Sequence, residues 1–261
     1  MIVCKSPAEL AKMRAANQLV ARILEELSAM VAPGVSTAEL DAAAESRVRA
    51  GGAEPAFKGY RGYPATLCAS VNEQVVHGIP NRTPLASGDI VSLDMGVKLN
   101  GYYGDSAVTV AVGAVRDDVA RLLLVTQEAL DKGIAQVKVG GRISDIGHAI
   151  QAHVEAHGFS VVREFVGHGI GASLHEEPQI ANYGEPGRGP RLVEGMTLAI
   201  EPMVNAGKAA VKVLADGWTA VTRDKSLSAH FEHTVAVTSG KPWILTERVP
   251  RTAGVRQPQG R

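Results

Sequence analysis

The feature that most constrains this chain is a two-residue turn, Asn100-Gly101, set between two runs of strand-forming residues. The runs cover residues 90–99 and 102–110 and are rich in β-branched and aromatic residues. An Asn-Gly pair favours the tight turn of a hairpin because both central positions need a positive φ, which these two residues tolerate. The sequence therefore predicts an antiparallel hairpin, and the turn fixes which residues lie opposite each other.

That register brings two carboxylates together. Gly96 lies opposite Asp105. Asp94 lies opposite Ala107, so the two aspartates are diagonal neighbours on one face of the hairpin. Carboxylates held this close repel each other unless a cation lies between them, and Gly96 leaves room for one. The hairpin predicts a metal site, although isolated aspartates in strands are more often solvated or bound to a turn, and the hairpin alone leaves both interpretations open.

Length and charge limit the function classes. The chain has 261 residues, of which 45% are hydrophobic, and its mean hydropathy is +0.02, so it can bury a full core in one large domain or two fused halves. Its 27 Lys and Arg residues balance 27 Asp and Glu residues. No basic field therefore favours nucleic acid or an anionic membrane. We expect a globular monomer with a small or weakly charged substrate.

The chain lacks the sequence signals of export. Residues 1–7 have no apolar core for a signal peptide, and no run of 18 apolar residues occurs. The two cysteines, Cys4 and Cys68, lie far apart without a CxxC motif, a pattern that suits free thiols in a reducing compartment. We expect a cytoplasmic protein.

Four helices are predicted, and capping boxes or glycine stops mark their ends. They extend from a box at residues 6–9 to Pro33, from a box at 36–39 to Gly51, from about Asp117 to Val137, and through Ile146, Ile150 and Val154 to His157. Each pair of helices is followed by strands. A shift of 106 residues aligns Gly34 with Gly140. We interpret this as two pseudo-symmetric αβ halves, about residues 5–112 and 113–245, inside a single catalytic domain of residues 1–248.

The repeat brings more carboxylates to the hairpin. A shift of 107 residues aligns Glu201 with Asp94, each at the end of an apolar strand. The next strand of the second half, over residues 228–238, would then carry Glu232 at the position of Asp105. Four carboxylates, two from each half, are therefore predicted to converge.

Histidines supply the remaining type of metal ligand. His168 lies in the glycine-rich stretch 167–171, where the backbone can approach a site closely, and His175 follows it. His77 is the counterpart in the first half. A phosphate-binding loop is the alternative for the glycines, but no Lys-Ser or Lys-Thr follows and Pro178 interrupts any helix start. The predicted fourth helix also carries His148, His153 and His157, which are expected on its solvated face or in partner contacts.

This donor set indicates a particular chemistry. Carboxylates with histidine and no thiolate suit divalent ions such as Mn²⁺, Fe²⁺, Co²⁺ or Zn²⁺. Four acids are too many for one catalytic zinc, but they suit two ions about 3.5–4 Å apart, bridged by carboxylates and a water. Such a water attacks at neutral pH, so hydrolysis is the expected chemistry.

Several motifs together resemble a known enzyme family. They are residues 72–80, Asp94 with Asp105, 167–171, 175–178, 200–202, 216–219 and 231–234. Over residues 4–245 the chain resembles a type I methionine aminopeptidase. The resemblance implies an α+β protein with the pita-bread fold, a curved antiparallel sheet backed by helices from two pseudo-symmetric halves.

The resemblance also implies the metal ligands. Asp94 would hold one ion, His168 and Glu201 would hold the other, and Asp105 and Glu232 would bridge both. The protein is also a candidate to bind a monovalent cation in addition to the two divalent ions. Glu201 would take the proton from the bridging water as the general base.

The same resemblance assigns the substrate contacts. His175 would hydrogen-bond the substrate carbonyl and the developing oxyanion, and His77 would contact the scissile amide near the departing nitrogen. The free α-amine would bind the metal held by Asp94, so that only chain termini are cut. The implied substrates are nascent chains that begin with Met followed by a small residue.

A methionine pocket is implied as well. Tyr60, Tyr63, Cys68 and Trp218 match the family pattern, and an apolar, sulfur-tolerant cage suits a thioether. Phe57 and Leu174 fill positions where better-known relatives carry Cys and Phe, so the shape of the pocket is expected to differ. The residues expected to contact substrate are Phe57, Tyr60, Tyr63, Cys68, His77, Leu174, His175 and Trp218.

Two other functions are compatible with the fold that the resemblance implies. A proline-specific relative, such as a prolidase or aminopeptidase P, would carry an extra N-terminal domain and a different pocket. An inactive binding module of the same fold would have lost ligands, whereas all five are present.

His230 and the C-terminal residues depart from the rest of the pattern. His230 is unusual for the family and is expected on the outer surface, with a proton donor for the site as the alternative. Residues 249–261 hold arginine, proline and glycine and are predicted to be a disordered tail, for which ribosome contact is one role.

Overall fold

The computed structural model describes residues 1–247. The helices are α1 (Pro7–Met30), α2 (Thr37–Ala50), α3 (Asp117–Ile134) and α4 (Ile143–Ala156), with a short 3-10 turn at Tyr60–Gly62. The strands are β1 (Glu54–Pro55), β2 (Leu67–Val71), β3 (Gln74–Val76), β4 (Ile90–Leu99), β5 (Tyr102–Ala111), β6 (Ser160–Val161), β7 (Gly167–Gly169), β8 (Glu176–Ile180), β9 (Thr197–Ile200), β10 (Met203–Asn205), β11 (Val211–Val213), β12 (Ala220–Thr222), β13 (Ser228–His230), β14 (Glu232–Ala236) and β15 (Trp243–Ile244). The tail predicted over residues 249–261 lies outside the described residues.

The first two helices begin as predicted. The side chains of Ser6 and Ser36 accept hydrogen bonds from the amides of Glu9 and Glu39, whose carboxylates accept from the serine amides in return. Both capping boxes are therefore complete, and each satisfies two N–H groups that have no partner inside the helix.

The third helix ends earlier than predicted. α3 ends at Ile134 instead of Val137. The amides of Gln136 and Val137 bond to carbonyls three residues back, so the chain tightens into a turn where the helical pattern of hydrogen bonds would have continued.

The hairpin register is confirmed. Asn100 has φ 51° and Gly101 has φ 82°, the left-handed pair that the turn requires. Gly96 lies opposite Asp105 in the antiparallel ladder of β4 and β5. One side of this hairpin is covered by α1, which packs against both strands.

The hairpin lies inside a larger antiparallel sheet. Its strand order is β1-β4-β5-β14-β9-β7-β8, with β2 also paired to β4 and β15 to β14. The pairing of β5 with β14 joins the strands from the first half of the chain to those from the second. The convergence predicted from the repeat therefore occurs at one seam of a continuous sheet.

The strand predicted over residues 228–238 is broken. β13 pairs with β10 in a separate three-stranded sheet, and β14 joins the large sheet. Phe231 lies at the break, where its amide reaches the carbonyl of Pro202 at 3.4 Å. Proline cannot donate to a ladder, so the strand changes sheets here, and Glu232 begins the new pairing.

Two hydrophobic cores lie beneath the helices. One consists mainly of residues from α1, α2, β2 and β4. The other consists mainly of residues from α3, α4, β9 and β14. The predicted α+β class, with an antiparallel sheet backed by helices of both halves, is confirmed. Within residues 1–247 the structure offers no helix with the length and apolarity that crossing a bilayer demands.

Candidate metal centre

The large sheet brings the five predicted ligands to one place. Ala107 of β5 lies opposite Asp94 on one side and opposite Glu232 on the other. These three residues therefore form a row across β4, β5 and β14. His168 of β7 and Glu201, directly after β9, approach from the next strands along.

The distances within this cluster are those of a metal site. Single donor atoms of Asp105, His168 and Glu232 all lie within 4.8 Å of one another, and all three residues are buried. Nε2 of His168 lies 3.6 Å from Oε1 of Glu201 and 3.9 Å from Oδ2 of Asp105. These separations are longer than hydrogen bonds, so the groups face each other without bonding.

Unpartnered oxygens test whether a cation fits. Oδ1 of Asp94, Oδ1 of Asp105 and Oε1 of Glu232 are buried and accept no hydrogen bond. Buried polar atoms without partners are rare and costly. A divalent ion coordinated by these oxygens would satisfy them, so the residues present fit the group.

His168 is oriented for the same purpose. Its Nδ1 donates to the carbonyl of Gly169 at 2.9 Å, which leaves the lone pair on Nε2, facing the carboxylates. Metal-binding histidines usually carry such a hydrogen bond on the other ring nitrogen. Burial lowers the pKa of His168 to about 4, so the imidazole is neutral near pH 7 and available as a ligand.

The carboxylates are electrostatically frustrated without a cation. Burial raises the pKa of Asp94 to about 7 and that of Glu201 to about 8. Burial, followed by repulsion from Asp94 and Glu201, raises the pKa of Asp105 well above its usual range. Burial and the neighbouring Asp105 do the same for Glu232. A divalent cation would reverse these shifts because it favours the charged forms.

The glycines beside His168 allow the strands to approach closely. A Cβ at Gly167 would collide with the carbonyl of Ala199, and a Cβ at Gly169 would collide with the carbonyl of Glu177. The first part of the glycine-rich stretch is therefore a strand, β7, whose glycines allow close packing of the neighbouring backbone.

A cavity opens directly onto the carboxylates. Its volume is about 160 Å³. It is lined by the five predicted ligands together with Phe57, Tyr60, Arg61, Tyr63, Cys68, His77, Leu174, His175 and Trp218. All eight residues expected to contact substrate therefore line one cavity. Arg61 was not predicted, because nothing in the sequence distinguishes it from other surface arginines.

The apolar side of the cavity is rigid. The Tyr63 hydroxyl donates to the carbonyls of Leu67 and Gly78 at 3.1 and 2.9 Å, and its ring meets Trp218 edge to face at 5.1 Å. Burial raises the pKa of the Cys68 thiol, so Cys68 acts as an apolar lining residue and not as a nucleophile.

Two histidines flank the carboxylates. Nδ1 of His175 lies 2.9 Å from the Tyr60 hydroxyl, and the two rings stack. His77 has φ 60°, a strained conformation for a non-glycine residue that is typical of functional sites. Burial lowers the pKa of His77 to about 4.

His230 is not on the outer surface, so that expectation was wrong. Its side chain is 2% exposed, and its Nε2 lies 3.6 Å from Oε2 of Glu201 without a hydrogen-bond partner. The break in the strand at Phe231 causes this placement, because β13 enters the small sheet and directs His230 behind Glu201. Nothing in the sequence near His230 predicts that the strand is interrupted at Phe231.

The helical histidines do not all lie on the solvated face of α4. His148 is exposed, as predicted, whereas His153 and His157 are half-buried and approach Glu128. They lie between α3 and α4 and share no residue with the cavity.

Comparison with known proteins places the chain in a family. The model of metallopeptidase family M24 matches residues 11–239. Methionine aminopeptidase 1 of Bacillus subtilis is 56% identical over 246 residues, which cover 94% of this chain and 99% of the relative. The crystal structure of methionine aminopeptidase from Thermotoga maritima is 47% identical, with a TM-score of 0.94, over 95% of this chain and 100% of that one.

More distant structures share only the fold. Prolidase from Pyrococcus furiosus is 22% identical, with a TM-score of 0.78, and 95% of this chain covers 66% of it. The predicted pita-bread fold is confirmed by the high similarity to the methionine aminopeptidases. The chain belongs to metallopeptidase family M24 and, within that family, to the methionine aminopeptidases.

Proposed function

We propose that this protein is a metal-dependent aminopeptidase that removes the N-terminal methionine from nascent polypeptides when the second residue is small. The observation that carries the proposal is one cavity that joins the carboxylates to an apolar cage. Its volume of about 160 Å³ is below the roughly 300–1,000 Å³ of sites for drug-sized ligands. It suits a single side chain, and the methionine aminopeptidase relatives support methionine.

The five buried donors would hold two divalent ions. Asp94 would bind one, His168 and Glu201 the other, and Asp105 and Glu232 would bridge them. When bound, the ions supply a more acidic water and polarise the scissile carbonyl. Manganese, iron, cobalt and zinc all match the donor set. A monovalent cation bound in addition to the two divalent ions is part of the same proposal.

The side chains of the protein carry the remaining steps. Glu201 would take a proton from the attacking water as the general base, since its carboxylate is buried beside the other donors. Nδ1 of His175 lies 2.9 Å from the Tyr60 hydroxyl; in the tautomer that accepts the hydroxyl proton there, the single imidazole proton is on Nε2, from which it can be donated to the substrate carbonyl. His77 contacts the scissile amide and is held in its strained conformation beside Phe165 and Trp218.

The pocket favours methionine over proline substrates. Tyr63, Cys68 and Trp218 form an apolar wall in which a flexible thioether packs well. Similarity to prolidase is low and concerns the fold.

The free thiols of Cys4 and Cys68 suit a reducing cytoplasm, where nascent chains are available to a monomeric enzyme. Ribosome contact by residues 249–261 is part of the same proposal, and their deletion should then weaken ribosome binding.

The proposal is tested by a peptide panel. We expect metal-stripped protein to be inactive, and added Mn²⁺, Co²⁺, Fe²⁺ or Zn²⁺ to restore release of Met from Met-Ala-Ser, with little release from Met-Leu-Ser and none from Ala-Pro peptides. The released amino acid is measured by chromatography. Cleavage of Ala-Pro instead would transfer the assignment to a proline-specific enzyme, and no cleavage with any ion would leave a binding module.

Replacing His175 with alanine should lower kcat more than it raises KM. The hydrogen bond from His175 strengthens as negative charge develops on the carbonyl oxygen, so its loss is felt mainly in the transition state. Removing one such donor typically costs about 10²–10³ in kcat. Steady-state kinetics on Met-Ala-Ser at saturating metal measures the two constants. A normal kcat with a raised KM would contradict this role.

A further inference from the structure

A second group of metal-binding side chains lies between α3 and α4. It consists of Glu128 on α3, His153 on α4 and His157 at the end of α4, and we call it the helix-pair cluster. One donor atom from each of the three residues lies within 4.8 Å of the other two. We propose that the helix-pair cluster binds one divalent ion of the zinc type, separate from the centre in the cavity.

One separation in the cluster is close to that between two zinc ligands. Zinc bonds to nitrogen and carboxylate oxygen are about 2.0–2.2 Å long, and tetrahedral angles then place two ligand atoms about 3.3 Å apart. Nε2 of His153 lies 3.0 Å from Oε2 of Glu128. The third donor atom lies within 4.8 Å of these two, and Nε2 of His153 can coordinate an ion once the ring carries its proton on Nδ1.

The second histidine is already oriented. Nδ1 of His157 donates to the carbonyl of His153 at 2.8 Å, so the lone pair of its ring lies on Nε2. This is the hydrogen bond that commonly supports a metal-binding histidine. The two imidazoles lie with their centroids 4.4 Å apart, tilted by 48°, as expected for two histidines four residues apart at the end of a helix.

Exposure leaves room for the remaining ligand. The side chain of His153 is 15% exposed and that of Glu128 is 43% exposed. Two histidines and one glutamate with an open fourth position form a known zinc donor set, in which water completes the tetrahedron. Arg121 donates to the carbonyl of His157 at 2.7 Å and lies over the ring of Phe159, so its charge is already engaged beside the cluster.

Such an ion would connect two helices that belong to one core. α3 contributes one ligand and α4 contributes two, and both helices cover the core of the second half. Binding to the folded state alone raises the folding equilibrium constant by about a hundredfold when the free ion is at a hundred times its Kd. The role of the site is therefore to stabilise this pair of helices.

The experiment counts zinc in variants that keep the cavity intact. Metal-stripped protein is dialysed against buffered Zn²⁺, and bound zinc is measured by mass spectrometry for the wild type, His157→Gln and Glu128→Gln. His148→Gln is the matched control, since His148 lies on the same helix, is exposed and is not part of the cluster. We expect the two cluster variants to bind one equivalent less than the wild type and the control, and to hydrolyse Met-Ala-Ser at the wild-type rate.

A local measurement separates this site from the cavity. In ¹⁵N NMR spectra of the histidine rings, Zn²⁺ should shift the Nε2 signals of His153 and His157 in the wild type and in the metal-centre variant Asp105→Asn. Equal zinc content in all four proteins, or unchanged ring signals, would overturn the proposal and leave the Glu128–His153 contact as an ordinary hydrogen bond. Because Glu128 and His157 lie on different helices, a folding defect in one variant leaves the other as the test.

Discussion

Replacing Glu201 with glutamine is expected to reduce kcat for Met-Ala-Ser about 10²–10⁴-fold, the usual contribution of a general base. An amide keeps the size and an oxygen donor but cannot accept a proton. Oε1 of Glu201 faces His168 and Oε2 faces His230, each at 3.6 Å. The substitution therefore removes the proton acceptor and preserves the shape of the site.

Metal content and KM provide the controls for this variant. Because Glu201 is also a proposed ligand, bound metal must be measured in parallel, and the assay must be run at saturating Mn²⁺. A decrease in kcat with KM little changed indicates an interaction made in the transition state. Activity within tenfold of the wild type at full metal content would show that another group accepts the proton.

The second large effect concerns stability. We expect the Tm of the metal-stripped protein to fall as the pH rises from 6.5 to 8, and added Mn²⁺ to reverse the fall. Burial raises the folded-state pKa of Asp94 to about 7 and that of Glu201 to about 8. In the unfolded chain both groups have already lost their protons near pH 4. The folded state therefore binds more protons in this range, and its stability decreases with pH.

At lower pH the buried histidines have the opposite effect on the pH dependence of stability. Burial lowers the pKa of His77 and of His168 to about 4, below the value of about 6.5 in unfolded chains. Their neutral folded forms destabilise the protein mainly below pH 6.5, where the unfolded state binds extra protons. Half of this proton binding is lost at pH 6.5 and about nine-tenths at pH 7.5, so the carboxylates dominate the slope over the upper part of the range measured.

The sizes of these effects are measurable. One group that stays protonated in the folded state costs about 1.4 kcal/mol per pH unit, and a chain of this size loses about 2–4 °C of Tm per kcal/mol. Mn²⁺ at a hundred times its Kd adds about 2.7 kcal/mol, which is roughly 5–10 °C. Differential scanning calorimetry at pH 6.5, 7.25 and 8 measures both. A Tm that rises with pH in the stripped protein would refute the predicted sign.

Local rules were sufficient for much of the fold. The Asn100-Gly101 turn set the register of the hairpin, and the two serine capping boxes set the starts of α1 and α2. The positions of Asp94 and Asp105 followed from that register alone. These features could be predicted because each depends on residues close together in the chain.

Features that depend on distant contacts could not be predicted. His230 was expected outside because the sheet change at Phe231 depends on pairing with β10, which is far away in the sequence. Arg61 reaches the cavity by a left-handed turn with φ 49°, a conformation that its residue type does not favour. The approach of Glu128 to His153 depends on the packing of α3 against α4.

The seam between β5 and β14 also has a consequence for biosynthesis. Asp94 and Asp105 leave the ribosome long before Glu232, yet all three meet in neighbouring strands. Until β14 has been synthesised, the aspartates of the β4–β5 hairpin lack Glu232 beside them and remain protonated or solvated. The complete set of proposed metal ligands therefore exists only after nearly the whole chain has been synthesised.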